Sequence, residues 1–562
     1  MRWRHLDKSL FVWVLLIGVL LVLVVNPLAR LLWASFEHGA TGGFTLENYA
    51  AAYGRWRYLE ALWNSLVLGL AVAVLGTVFG VPMAWAVSRT DMPAKGLVWA
   101  AILGTFIVPS YLGAVAWILL AGPNAGWLNR LYVWLTGAAS GPLNIYSMAG
   151  LVLVIACYSF PYAFVFTRSA LDLISSEMED AASTLGAGTL RTMLRVTLPL
   201  TLPAILGAFI VEFLEAIALF GAPALIALPA RFQVMTTMLW QFFEFPPKVQ
   251  VAAAYSMPLL GITVLLFWLQ RRIIARKGYV ALTGKGGERR LIRLGGWRWV
   301  MLGYCLFVTS LSFFLPMLVV LQAAFAKAWG RGFGLDNITL ENLRFVLIDQ
   351  PITRAATLHT FVYGGTAAAI ALGLGLSIAY IVHRRLVPLG GALAYIAMAP
   401  FVIPGIVLAI GFYAAYTTPP LVLYGGAWIL ILAFTTRFLP IAYANSDAAI
   451  RSLNPELEDA VRILGGGRLL AMRRVVGPLL KRGLAGAFIL VFIPATRELS
   501  SAIFLYTTGT QVLSVLLFDK SDEGNFEILS SIGLILVVIT VALVLAGFRL
   551  VGRDFMLKRT AS

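Results

Sequence analysis

A chain of 562 residues that is 60% hydrophobic and 12% charged, with a mean hydropathy of +0.87, is too apolar for an ordinary globular domain and carries about half the usual charge. It reads as an all-α polytopic membrane protein. A net charge of +17 raises nucleic acid as a partner, which the placement of Lys and Arg argues against below; Cys157 and Cys305 sit inside apolar runs without metal-ligand spacing and give no disulfide or zinc site.

Windows of about 20 apolar residues predict twelve spans, at 10–34, 62–87, 97–121, 147–167, 201–223, 251–270, 299–325, 357–382, 389–416, 421–446, 483–506 and 527–548. The first follows MRWRHLDK, but the run is too long for a signal peptide and lacks a small-residue cleavage site, so it is read as a retained span. With the N-terminus in the cytoplasm, 30 of the 43 Lys and Arg fall on inward segments, which is the positive-inside asymmetry. Both termini are therefore expected in the cytoplasm. Nine of these cations lie in 271–298, read as a basic cytoplasmic linker resting on anionic membrane lipid, with no nucleic acid as partner.

The linker separates residues 1–270 from 299–562, six spans each, and an even number of crossings gives both halves the same orientation. Repeats support a parallel duplication. FTLEN at Phe44–Asn48 returns as ITLEN at Ile338–Asn342, Pro161 is matched by Pro440, and GAFI at 207–210 returns at 486–489. The longest repeat is EDAASTLGAGTLRTMLRV from Glu179 and EDAVRILGGGRLLAMRRV from Glu458, 279 residues later, each in the inward loop between the fourth and fifth spans of its half, 175–199 and 454–478.

Each loop predicts a short helix. Ser175 and Asn454 suit the N-cap, Pro455 the first position, and Glu177, Glu179, Asp180 and Glu456, Glu458, Asp459 the positive helix start. Met178, Ala181 and Leu185, like Leu457, Ala460 and Leu464, share one face before Gly186 and Gly465 offer a left-handed stop. A second helix then runs to Pro199 or Pro478. Two such faces predict docking on a twofold partner; the alternative is a helix lying on the membrane surface.

At these residues the chain resembles the permease subunits of bacterial ABC importers, whose EAA loop reads Glu-Ala-Ala, three residues, Gly, nine residues, Ile-x-Leu-Pro. The copies here are Asp180-Ala181-Ala182, Gly186, Val196-Thr197-Leu198-Pro199 and Asp459-Ala460-Val461, Gly465, Val475-Val476-Gly477-Pro478. Spacing is kept in full, with Asp for the leading Glu in both and Val461 and Gly477 departing in the second. The whole chain looks like the fused two-permease arrangement of ferric iron importers, and EAIALFGAPALI from Glu215 and RELSSAIFL from Arg497 are similar to that group's fifth-span patterns. Relatives in the superfamily move thiamine, polyamines, phosphonates or inorganic anions.

The resemblance implies a multi-pass protein of the bacterial inner membrane. Two ATP-binding cassette ATPase subunits would dock on Glu179, Asp180, Ala181 and Gly186 and on Glu458, Asp459, Ala460 and Gly465, and an external solute-binding protein, periplasmic or lipid-anchored, would deliver the cargo. The chain itself has no GxxxxGK[ST] loop, so it is expected to bind no cofactor and to have no catalytic residue, with ATP used by the partner subunits. The contrasting class is an ion-gradient-driven carrier, but SRTDMPAKG and HRRLVPLGG lack the patterned motif of such carriers.

Ionisable residues inside spans cost about 2.5–3.5 kcal/mol each at a helix centre and need a reason. Glu212 and Glu215 share a face of span five; Arg497 and Glu498 adjoin in span eleven, and Arg437 lies in span ten. Glu215 and Glu498 are expected to face a central route, compensated by Arg497 or Arg437; the alternative is buried pairs that hold helices in register. Carboxylates there suit a cation such as Fe³⁺, but no fixed metal site is predicted.

Overall fold

The computed structural model describes residues 8–551 apart from 40, 175–177, 179, 180, 183, 245, 277–290, 333, 388 and 389. Among them the chain is helical, with isolated bridges in place of strands, as a backbone that must satisfy its own polar groups in hydrocarbon requires. The first half contains α1 (Phe11–Ser35), α2 (Trp56–Arg89), α3 (Lys95–Ile107), α4 (Ser110–Ala121), α5 (Met148–Asp172), α6 (Met193–Ala218), α7 (Gly221–Ile226), α8 (Met235–Gln241) and α9 (Val249–Ile273). The second repeats the order as α10 (Trp297–Ala324), α11 (Pro351–His383), α12 (Gly390–Phe401), α13 (Gly405–Tyr416) and α14 (Ala427–Arg451), then α15 (Glu456–Ile463), α16 (Met472–Thr496), α17 (Ala502–Leu505), α18 (Leu513–Asp522) and α19 (Phe526–Leu550).

Ten of the expected spans are single helices, and the third and ninth are bent pairs, α3 with α4 at 104° and α12 with α13 at 111°. The cause is local. Pro109 and Pro404 stand immediately before α4 and α13 with extended backbone angles, ψ 142° and 141°, and a proline both biases its predecessor away from helix and suits a helix start.

The fifth and eleventh spans differ from expectation at both ends. No break occurs at Pro199 or Pro478: π-helical turns at Met193–Thr197 and Met472–Val476 absorb the missing N–H, and the helix continues from the EAA loop into the membrane. The same device precedes Pro27 and Pro316, at Leu21–Val25 and Ser310–Phe314. At the other end α6 stops at Ala218 and α16 at Thr496, so Arg497 and Glu498 lie just past the helix end and not on its faces.

The first helix of each half packs on the other half. Leu16, Leu20 and Leu23 of α1 are buried with Ile378, Leu393 and Leu439, and the π turn offers its freed carbonyls outward: Thr436 Oγ1 donates to Leu23 O at 3.1 Å, and the Tyr416 hydroxyl to Val22 O. Reciprocally, Tyr304 of α10 donates to Val78 O at 2.6 Å, and Ser312 meets Thr105 at 3.0 Å. The halves thus interlock. The TLEN repeat has a capping role: Asn48 Nδ2 donates to the carbonyls of Ser35 and Glu37, and Asn342 Nδ2 to those of Ala324 and Ala326, closing the ends of α1 and α10.

Candidate translocation and coupling sites

In the second EAA loop, Asn454 Oδ1 accepts from Glu456 N at 3.1 Å and starts α15, whose first turn carries Glu456, Glu458 and Asp459. Glu458 turns back into the protein. Its Oε1 accepts from Arg384 Nε at 2.9 Å and from a second Arg384 guanidinium nitrogen at 2.6 Å, and its Oε2 accepts from the Tyr380 hydroxyl at 2.8 Å. Asp459 points outward and pairs only loosely with Arg462, at 3.6 Å. Leu457, Ala460 and Leu464 leave an exposed apolar face, and Gly465 ends the helix at φ +83°.

In the first loop Glu179 and Asp180 lie outside the described residues, as do Ser175 and Glu177. Met178, Ala181 and Leu185 are exposed, and Gly186 turns at φ +82°. A Cβ at either glycine would meet nothing within 4 Å, so the constraint there is backbone conformation and not space.

The ionisable residues of the spans divide into two groups. Glu212 is fully buried between helices of its own half: Ala163 N donates to its Oε1 at 3.3 Å, and a Cβ on Gly76 would come within 2.7 Å of its Oε2. Glu215, one turn on, is exposed where Glu212 is sealed. It interacts electrostatically with Arg437, Glu498 and Arg497, and with Tyr162 of α5.

Both arginines close broken helix ends. Arg497 Nη1 donates to Phe106 O at 2.7 Å and Ile107 O at 3.0 Å, the last carbonyls of α3, and Arg437 Nη1 donates to Ile403 O at 2.5 Å, in the break after α12. Glu498 sits at the start of the next half-helix: a Cβ on Gly405 would lie 3.2 Å from its Oε1 and 3.6 Å from Arg437 Nε. Cations thus meet carboxyl ends of helices and a carboxylate meets an amino end, as the helix dipole favours. Glu498 Oε1 also accepts from Ser501 N at 2.9 Å.

An aromatic group also joins the two halves. Phe220 and Trp240 of the first half meet Phe504 and Phe518 of the second, with ring centroids 5.5–6.2 Å apart. A repeat missed in the sequence holds it. Ser65 Oγ accepts from Met235 N at 2.7 Å and Thr360 Oγ1 from Leu513 N at 2.8 Å, fixing the starts of α8 and α18. Asn64 donates to Gln233 O and the His359 ring bonds Gln511 O, each at 2.9 Å. The signal was present: Gln233-Val234 returns as Gln511-Val512, and Ser65 and Thr360 precede matching runs. Ser65 and Arg89 are 24 residues apart on α2, about 36 Å, so the aromatic group lies at the far end from the EAA helices.

On α18, outside the spans, Gln511 Nε2 donates to Asp519 Oδ2 at 2.7 Å, while burial and then the neighbouring Asp522 push the Asp519 carboxyl from 3.8 up to about 6. A raised folded-state value means its stabilising contribution is present below pH 3.8 and is lost as pH rises through about 6. The thermal midpoint of the purified protein is expected to fall across that window, and Asp519→Asn to flatten the fall; an unchanged slope in the variant refutes the assignment.

A family model described as binding-protein-dependent transport system inner membrane component matches residues 76–279 and again 371–553. The ferric transport system permease protein FbpB of Actinobacillus pleuropneumoniae is 25% identical over 538 residues, spanning 93% of this chain and 75% of that protein. The probable ABC transporter permease protein y4fN of Sinorhizobium fredii is 23% identical over 566 residues, 97% and 96% of the two chains. A putative 2-aminoethylphosphonate transport system permease protein, PhnV of Salmonella paratyphi A, is 25% identical over 233 residues, 42% of this chain and 87% of that one. With the family's unit present twice in one polytopic helical chain, this protein belongs to the inner membrane components of binding-protein-dependent transport systems and is a fused ABC importer permease.

Proposed function

We propose that this permease carries ferric iron, bare or as a small chelate, into the cell. The observation that carries the reading is similarity along 93% of the chain to a protein named as a ferric transport permease. The central cluster is compatible with it. Glu215 and Glu498 offer hard oxygen ligands, while Arg437 and Arg497 balance their charge, so a cation is passed on and not trapped. Two separate ATPase subunits dock on the exposed faces of the EAA helices and supply ATP hydrolysis, and their closure swings the halves between inward- and outward-facing states. The EAA loops, both termini and the basic linker face the cytoplasm; the pairing of Ile292 N with Arg89 O at 2.8 Å, which ties the linker's end to the end of α2, supports that placement. A solute-binding protein delivers cargo at the opposite face.

Deleting the gene in cells that depend on this system is expected to abolish uptake of radiolabelled ferric iron. Unchanged iron uptake with loss of thiamine or phosphonate uptake refutes the cargo and leaves the transporter class standing.

A further inference from the structure

A cavity of about 490 Å³ opens at the end of α2 farthest from the EAA helices, and Trp240 of the aromatic group forms part of its wall. Arg57, Glu60 and Asn64 line it from the first turns of α2, Arg231 from the turn after α7 and Gln241 from α8. Its frame is tied: Arg57 donates to Gln241 Oε1 at 2.5 Å, and Asn64 to Gln233 O at 2.9 Å. Among the described residues neither arginine forms an ion pair, although Glu60 shares the cavity, so two guanidiniums and one carboxylate leave it net positive. The start of a 34-residue helix adds to that potential.

Arg231 is held there against backbone preference. Phe232 N bonds Ala227 O at 3.1 Å and Arg231 N bonds Leu228 O at 3.0 Å, a turn that places Arg231 at φ +61°, where glycine is the ordinary residue. The matching positions of the second half carry other residues: aligning Asn64-Ser65 with His359-Thr360 and Gln233-Val234 with Gln511-Val512 puts Ile352, Ala355 and Gly509 opposite Arg57, Glu60 and Arg231. One half of the duplication has acquired cations around a cavity, and the other presents none at the matching positions.

The geometry points to an anion-binding site: the cavity takes an oxyanion of the carboxylate or phosphate class at the outer face, on the first half alone. The outer placement rests on the orientation given above, whereas anion binding itself does not depend on iron being the cargo. The ligand is either a free anion or a carboxylate on the delivering solute-binding protein, and the two are separable by titration. Inorganic phosphate and citrate are added to the full chain in nanodiscs at low ionic strength, following tryptophan emission against Trp240→Phe; the solute-binding protein is titrated separately.

A saturable response to either anion, weakened about tenfold in Arg57→Gln/Arg231→Gln and kept in Arg57→Lys/Arg231→Lys, supports a free-anion site. A similar loss of affinity for the solute-binding protein, without a response to phosphate or citrate, supports a carboxylate on that protein. Arg231→Gly guards against misfolding, because it removes the guanidinium while relieving the backbone, and it is expected to weaken binding in a protein at least as stable. No response to either anion together with unchanged affinity for the solute-binding protein overturns the proposal.

Discussion

Arg384→Ala is expected to leave the permease inserted and associated with its ATPase but to cut ATP-driven uptake at least tenfold. Arg384 and Glu458 are each 11% exposed at the side chain, and removing one partner of a buried pair costs about 3–5 kcal/mol because the other charge is stranded. The stranded Glu458 has an escape. It lies on α15, a helix of 8 residues in a loop, so the helix peels away from α11 to rehydrate the carboxylate. The ATPase then moves a helix that no longer pulls on the span. Tyr380→Phe removes one donor and keeps the ion pair, so its effect is smaller. Arg384→Glu combined with Glu458→Arg keeps opposite charges in contact and is expected to recover part of the uptake. Asp459→Lys provides the contrast, since Asp459 is 62% exposed and its change acts on the partner surface, weakening ATPase co-purification. Normal uptake in Arg384→Ala removes this strut from the mechanism.

That strut marks the boundary of what the sequence makes legible. The EAA loops, their glycine turns and the TLEN and GAFI repeats are local patterns, and local patterns survive in one dimension. Gly186 and Gly465 do adopt left-handed angles within a degree of each other. The exchange of α1 and α10 between halves has no such signature, because an apolar helix looks the same whichever neighbour it packs on. Pro109 and Pro404 stood in plain view, yet an apolar window reads through a proline, and only the backbone reveals a bend above 100°. The carboxylates show a third case. Periodicity places Glu212 and Glu215 on one face, but Glu212 is sealed against Gly76 and Ala163 while Glu215 is exposed, a difference made by neighbours from α2 and α5.

Arg497 carries two roles that a pair of variants separates. As a cap it holds Phe106 O, in an exposed bond, and Ile107 O, in a part-buried one, at the end of α3; solvent can replace the first, so Arg497→Met is expected to lower the thermal midpoint by the worth of a single hydrogen bond, roughly 0.5–1.5 kcal/mol. As a charge it balances Glu215 and Glu498; without it Arg437 faces two carboxylates alone, and a cationic cargo is retained. Uptake should therefore fall while ATP hydrolysis continues. Adding Glu215→Gln restores neutrality but supplies no donor to α3. If both roles are real, Arg497→Met/Glu215→Gln recovers uptake in part and stays as unstable as Arg497→Met. Arg497→Lys behaves in the opposite sense, since it keeps the charge and reaches at most one of the two carbonyls well. Recovery of neither property in the double variant reduces Arg497 to a cap, and wild-type uptake in Arg497→Met removes it from the route altogether.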